Sequence, residues 1–291
     1  MLRRALTKAA PFVIAFVALA AAGWLAFGRS ARTPSVLPVA AAIRAIPPDS
    51  VIRGPVVDER RVGDYQIRIV DDSASRERVL DITHEGRRVF ARRSADFRIE
   101  HAGQDLTGDG QPDAMIVEFT GGLHCCTRAT ILGLGREFRD YGTIDGADGD
   151  VMLEDVNRDG VPEIKIGDFR FAYWRDVPFS DTPVPEVLLR FRERGYEVAC
   201  DLMRQPPPDD ASLRETAREL AGGWKTGDPP PEFWGFAVDL VYAGNADQAW
   251  RLFDLGWPPG NPGREEFVRE LRARLAESPC WRPVQAPPTG D

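Results

Sequence analysis

Two short segments limit what this chain can fold into more than any other feature. They are Asp105-Leu106-Thr107-Gly108-Asp109-Gly110-Gln111-Pro112-Asp113 and Asp155-Val156-Asn157-Arg158-Asp159-Gly160-Val161-Pro162-Glu163. Both follow D-x-[TN]-x-D-G-x-P-[DE], offset by 50 residues, and each runs into an apolar stretch. A tightly coiled loop of this spacing turns alternate side chains toward one centre. Calcium takes six to eight oxygens at about 2.3–2.6 Å, and a glycine at the sixth position permits the sharp turn. The expected ligands are therefore Asp105, Thr107, Asp109, Gln111 (by its carbonyl) and Asp113. In the second loop they are Asp155, Asn157, Asp159, Val161 (by its carbonyl) and Glu163. Without metal, the same residues would form Asp/Gly-rich hairpin turns.

These loops are not helix–loop–helix sensors. The twelfth position, where a bidentate Glu would stand, holds Ile116 and Ile166, and the flanks have strand character. With about five protein oxygens each, water or a neighbouring loop must complete the shell. An affinity on the order of 10⁻⁵–10⁻³ M follows. The acidic stretch Asp145–Asp150 is expected to be a solvated turn.

Around the loops the pattern is β. Tyr65–Ile69 and Val79–Thr83 alternate, and Glu85-Gly86 is a hairpin turn into Arg88–Ala91. Further strands are expected at Met115–Thr120, Ala129–Leu134, Ile164–Ile166, Phe169–Trp174, Glu186–Phe191 and Tyr196–Leu202. The Pro-rich stretch 205–211 ends this pattern, and a helical period follows. Ser212–Glu215 has the form of a capping box. Pro231 suits a first turn, Gly244 a C-terminal cap and Asn245 an N-cap. Four short helices with aromatic stripes result, and those stripes are expected to be core.

The fold class expected is mainly β with a C-terminal α subdomain: antiparallel blade-like sheets, as a partial propeller or a sandwich, plus a small four-helix bundle. The boundaries are a signal-anchor at 1–28, a linker at 29–50, the β-rich domain at 51–204, a Pro-rich linker at 205–211, the helical domain at 212–282 and a tail at 283–291.

Arg3, Arg4 and Lys8 precede a 19-residue apolar stretch, Ala9–Phe27. As a helix it would span roughly 28 Å, close to a bilayer core. Cleavage after Ala20-Ala21-Ala22 would leave Trp24, Leu25 and Phe27 at the new terminus, so an uncleaved transmembrane helix is expected. The leading positive charge places the bulk outside the inner membrane, single-pass, in the periplasm or extracytoplasmic space. The net charge of −8 over 291 residues argues against nucleic acid as a partner. The partners this leaves are the membrane, through the N-terminal helix, and a protein or glycan ligand in the envelope. Tyr173 and Trp174, placed near the second loop in sequence, are the aromatics a glycan would use, but core packing is the role expected of those rings. Cys125, Cys126, Cys200 and Cys280 allow three disulfide patterns, and the sequence does not choose among them.

The loop pattern followed by an apolar strand resembles the FG-GAP or VCBS-type repeats of integrin-like β-propellers and bacterial surface proteins. About 150 residues of β region hold roughly three blades, too few to close a ring. The segment Phe119–Cys126 resembles a GGAHCC signature of bacterial envelope proteins that carry such a loop. In those proteins an aromatic stands where this chain has Cys280, which implies that Cys280 is incidental. The resemblance implies no enzymatic activity, and G-x-S-x-G, H-E-x-x-H and phosphate-loop motifs are absent from the sequence. The reading is a membrane-anchored, calcium-binding, non-enzymatic structural or interaction module. The alternative is a metal- or thiol-dependent enzyme or redox protein centred on His124, Cys125 and Cys126.

Overall fold

The computed structural model describes residues 46–280, apart from 48, 49, 74, 123–125 and 279. The described residues fall in one compact unit. The signal-anchor at 1–28 lies outside them. No described helix is long and apolar enough to cross a membrane.

Three four-stranded antiparallel sheets make up the β region, each a simple meander in sequence order. The first holds β1 (Val56–Val62), β2 (Tyr65–Asp71), β3 (Arg78–His84) and β4 (Arg87–Ser94). The second holds β5 (Asp96–Gln104), β6 (Asp113–Phe119), β7 (Thr127–Leu134) and β8 (Phe138–Ala147). The third holds β9 (Met152–Glu154), β10 (Glu163–Gly167), β11 (Glu186–Arg192) and β12 (Gly195–Val198). Glu85 and Gly86 both take left-handed φ, 51° and 77°, as a two-residue hairpin turn between β3 and β4 requires.

Side-chain alternation sets the stacking of the sheets. In the second sheet, Ala114, Ile116, Leu132 and Leu134 share a core with Ile67, Ile69, Leu80 and Ile82 of the first. Met115, Val117, Ala129, Ile131 and Ile144 point the other way, into a core with the third sheet and the helices. The second sheet is thus buried on both faces. That is why β6 and β7 are nearly continuous apolar runs.

Different elements meet the two outer sheets. Ile46 and Ser50, inside the stretch assigned to the linker, hydrogen-bond Ala91 and Arg88 of β4, and Pro55 accepts from Asp71. At the other end lie α1 (Asp210–Leu220), α2 (Pro231–Tyr242), α3 (Ala246–Gly256) and α4 (Arg264–Leu275). Their aromatic residues Phe233, Trp234, Phe253 and Phe267 are fully buried. Trp234 meets Phe171 and Trp174 of the β10–β11 connection at 5.7 and 5.0 Å between ring centroids.

Several expectations need correction. Phe169–Trp174 is not a strand. It forms 3-10 turns at Phe169–Phe171 and Trp174–Asp176, with Tyr173, Arg175 and Asp176 at positive φ. The alternating aromatics imitate a strand, but Phe171 and Trp174 dock the helices instead. Arg175 fixes the turn to the helical layer through Asp228 at 2.6 and 2.9 Å and Glu270 at 2.5 Å. Helix α1 starts earlier than the Ser212 box. Asp209 is its cap and accepts from the Ala211 and Ser212 amides. Asn245 precedes α3 but sends its side-chain amide to the Gln205 carbonyl, not to the helix. Pro231 stands at the first turn of α2, and Gly244 follows it with φ 82°.

Cys280 is not incidental. It forms a disulfide with Cys200 across 80 residues, with 5.5 Å between Cα atoms. Cys200 follows β12 and Cys280 follows α4, so the bond ties the third sheet to the end of the helical layer. Closing a loop of that length removes denatured-chain entropy worth about 4–5 kcal/mol. Cys280→Ser is expected to lower unfolding free energy by about that amount, read by urea unfolding of the oxidised proteins. Coincident midpoints would show that the bond adds nothing.

Candidate metal centre

The first loop joins β5 to β6 and the second joins β9 to β10, so both occupy the first connection of a sheet. The equivalent turn of the first sheet, between β1 and β2, is the short Gly63-Asp64. The two loops share one hydrogen-bond plan. The first-position carboxylate accepts from the sixth-position amide: Asp105 from Gly110 at 2.9 Å, Asp155 from Gly160 at 3.0 Å. The fifth accepts from the seventh: Asp109 from Gln111 at 2.8 Å, Asp159 from Val161 at 2.9 Å. The ninth accepts from the second: Asp113 from Leu106 at 2.8 Å, Glu163 from Val156 at 3.0 Å. One local motif is therefore built twice.

Left-handed backbone is needed at two positions, of which the sequence made only one evident. The sixth, Gly110 and Gly160, has φ 76° and 90°. The fourth is Gly108 at 77° in one loop and Arg158 at 61° in the other. A non-glycine residue there is strained.

Position nine differs between the loops. Glu163 is buried with both oxygens partnered, the second by the Asn157 amide at 3.0 Å, which also donates to Asp159 at 2.9 Å. Asp113 is completely buried. Its Oδ2 accepts from Leu106 and from the Thr107 hydroxyl at 3.1 Å. Its Oδ1 is buried with no hydrogen-bond partner. An orphaned carboxylate oxygen costs free energy unless it meets a proton or a cation. Burial is the main cause that pushes the Asp113 carboxyl up to about 6, and the Asp109 and Asp105 carboxylates add to it.

Two tyrosines that the sequence did not single out hold the first loop. The Tyr141 hydroxyl of β8 donates to Asp109 at 3.4 Å, and burial keeps that phenol above its ordinary range. The buried Tyr196 hydroxyl of β12 donates to the Leu106 carbonyl at 3.1 Å. Their only signal was a tyrosine on a strand, and β8 was itself not expected.

The sequence-derived residues thus form two loops rather than one centre. Among the described residues no group of three or more His, Cys, Asp or Glu is already gathered as a metal would require. Apart from Asp113 Oδ1, the loop carboxylates are engaged with backbone amides and with the side chains of Thr107, Tyr141 and Asn157. An ion at Asp113 would also need Asp105 and Asp109 to turn inward. At the second loop, the Asn157 amide would have to rotate and present oxygen. The Asp145–Asp150 stretch ends β8 beside Thr127, at the opposite end of the second sheet from Asp113, and Asp145 accepts from the Ala147 amide. It supplies no ligand to the first loop. Tyr173 and Trp174 follow the far end of β10 from the second loop, so the pairing with that loop suggested by sequence is not made. Trp174 is packed against Trp234 and Phe267. His124 and Cys125 lie outside the described residues. Cys126 is buried and disulfide-bonded, so it is not a free thiolate.

A scan of protein-family models and searches of curated proteins and of solved structures gave no match to this chain.

Asp113 also sets a pH dependence in chelator. Its folded value of about 6 lies above the ordinary 3.8, so the native state holds the proton more tightly. The resulting stability is complete below about pH 4 and is lost as pH rises through 6, a change of about 3 kcal/mol. Melting temperature in chelator is expected to fall over that range, and Asp113→Asn to flatten the slope. Equal slopes for both proteins would refute the assignment to Asp113.

Proposed function

We propose that this chain is a membrane-anchored, extracytoplasmic calcium-binding protein, a non-enzymatic structural or interaction module of FG-GAP/VCBS type. The observation that carries the reading is the buried, unpartnered Oδ1 of Asp113, whose carboxyl also feels the charges of Asp109 and Asp105 in the same loop. A divalent cation relieves both the lost hydration and the mutual repulsion. The ligands are Asp105, Thr107, Asp109, the Gln111 carbonyl and Asp113 in one loop. In the other they are Asp155, Asn157, Asp159, the Val161 carbonyl and Glu163. Calcium suits an all-oxygen set of this size and flexibility better than magnesium, which demands a rigid octahedron.

Two further observations support an extracytoplasmic site. The Cys200–Cys280 disulfide suits an oxidising compartment. The basic, then apolar, N-terminus suits an inner-membrane anchor. The partner is a protein or glycan of the envelope. Because calcium binds the native state and not the unfolded chain, it stabilises by mass action.

Calorimetric titration of the full chain in detergent tests the reading. Two saturable sites are expected, the first lost in Asp109→Ala and the second in Asp159→Ala. Saturation at about 100 times Kd should add about 2.7 kcal/mol of stability per site. No heat and no shift in melting temperature up to millimolar calcium would refute it.

A further inference from the structure

The two loops touch, although they belong to different sheets. A Cβ built on Gly108, the fourth residue of the first loop, would fall 2.5 Å from Cγ2 of Val161. Val161 is the seventh residue of the second loop, whose carbonyl is one of the expected ligands. The bare Gly108 backbone is therefore the seat of the Val161 side chain. The same sheet grips the first loop again two residues earlier, where the buried Tyr196 hydroxyl reaches Leu106. The first loop thus closes against the third sheet at two points on either side of Thr107. One of those points is part of the second loop.

We infer that the loops take up their ions as a coupled pair, each strengthening the other through the Gly108–Val161 contact. This rests on the calcium reading above. When an ion draws Asp105, Thr107, Asp109 and Asp113 together, it fixes the backbone at Gly108 between them. That fixes the seat of Val161 and hence the carbonyl that the second ion needs. The ordering cost of the shared contact falls on the first ion alone, so the second binds more tightly. The charges act against this: an ion in one loop weakens the pull of its carboxylates on a cation in the other. The three carboxylates of the first loop outweigh the charge of one ion, Arg158 brings the filled second loop to about neutral, and salt screens what remains across the surface. Packing between the loops is not screened.

The order of filling follows from Asp113. The first loop offers a buried oxygen with no hydrogen bond to break, whereas the second must break the Asn157 bridge to Asp159 and Glu163. The first loop fills first and prepares the second.

A double-mutant cycle by calorimetry on the full chain in detergent tests this, with calcium chloride as the titrant. Asp109→Asn is expected to weaken the second site about tenfold, within the usual range for coupled sites. Reciprocity requires Asp159→Asn to weaken the first site by the same factor. In a Val161→Ala background, which keeps the carbonyl and removes the contact, both factors should fall to about one. The effect should persist at high salt. No calcium binding by the wild type would overturn the calcium reading itself. Two sites that bind, with each single variant leaving the other site unchanged within twofold, would overturn the coupling alone. Coupling of the opposite sign that fades with salt would show that charge, not packing, connects the loops. If Asp109→Asn fails to fold, the Asp159→Asn arm gives the same quantity from the other side.

Discussion

Burial of the second sheet on both faces is the constraint on which the rest depends. A strand pair such as β6 and β7 cannot face water on either side. It needs the first sheet against Ile116 and Leu132, and the third against Met115 and Ile131. The third sheet then has an apolar face of its own, which the four helices cover. The first sheet is bounded by residues 46–55. A ring of blades hides such faces by closing on itself. This chain instead stacks three open sheets, with the helices against the last of them.

The loops sit where that stacking makes them useful. Each crosses from the first to the second strand of a sheet, and the first loop lies at the seam between the second and third sheets. Tyr141 and Tyr196 reach it from β8 and β12. A cation there would join elements that otherwise meet through side-chain packing and a few hydrogen bonds.

The two loops were legible in the sequence because one residue pattern recurs at the same spacing, and the structure builds from it one shared set of hydrogen bonds twice. The helices were legible through their aromatic periodicity, and α2 through Pro231 and Gly244. Much else was hidden for physical reasons. Strand β1 exposes most of Val56–Val62, so it has no clean alternation. Strand β8 is polar through Asp140, Asp145 and two glycines. Phe169–Trp174 alternates like a strand, but Phe171 and Trp174 serve the helical layer while Phe169 and Tyr173 pack on Phe179. Asp209 displaced Ser212 as a cap because it begins the helix earlier. The orphaned oxygen of Asp113 and the seat of Val161 on Gly108 depend on three-dimensional contact, which no spacing records.

The Tyr196–Leu106 bond spans 90 residues, whereas every strand pairing is made between neighbours in sequence. The chain is therefore of low contact order within its sheets and of high contact order at the seam. Each meander can form as soon as its own segment is available, and closing those short loops costs little entropy. The first loop, however, is complete only when β12 has arrived and offered its tyrosine. Between those two moments the second sheet exists with one apolar face bare and its Asp-rich loop held only from within the sheet, by Tyr141. During synthesis that state lasts from the completion of β8 at Ala147 until Tyr196 has been added.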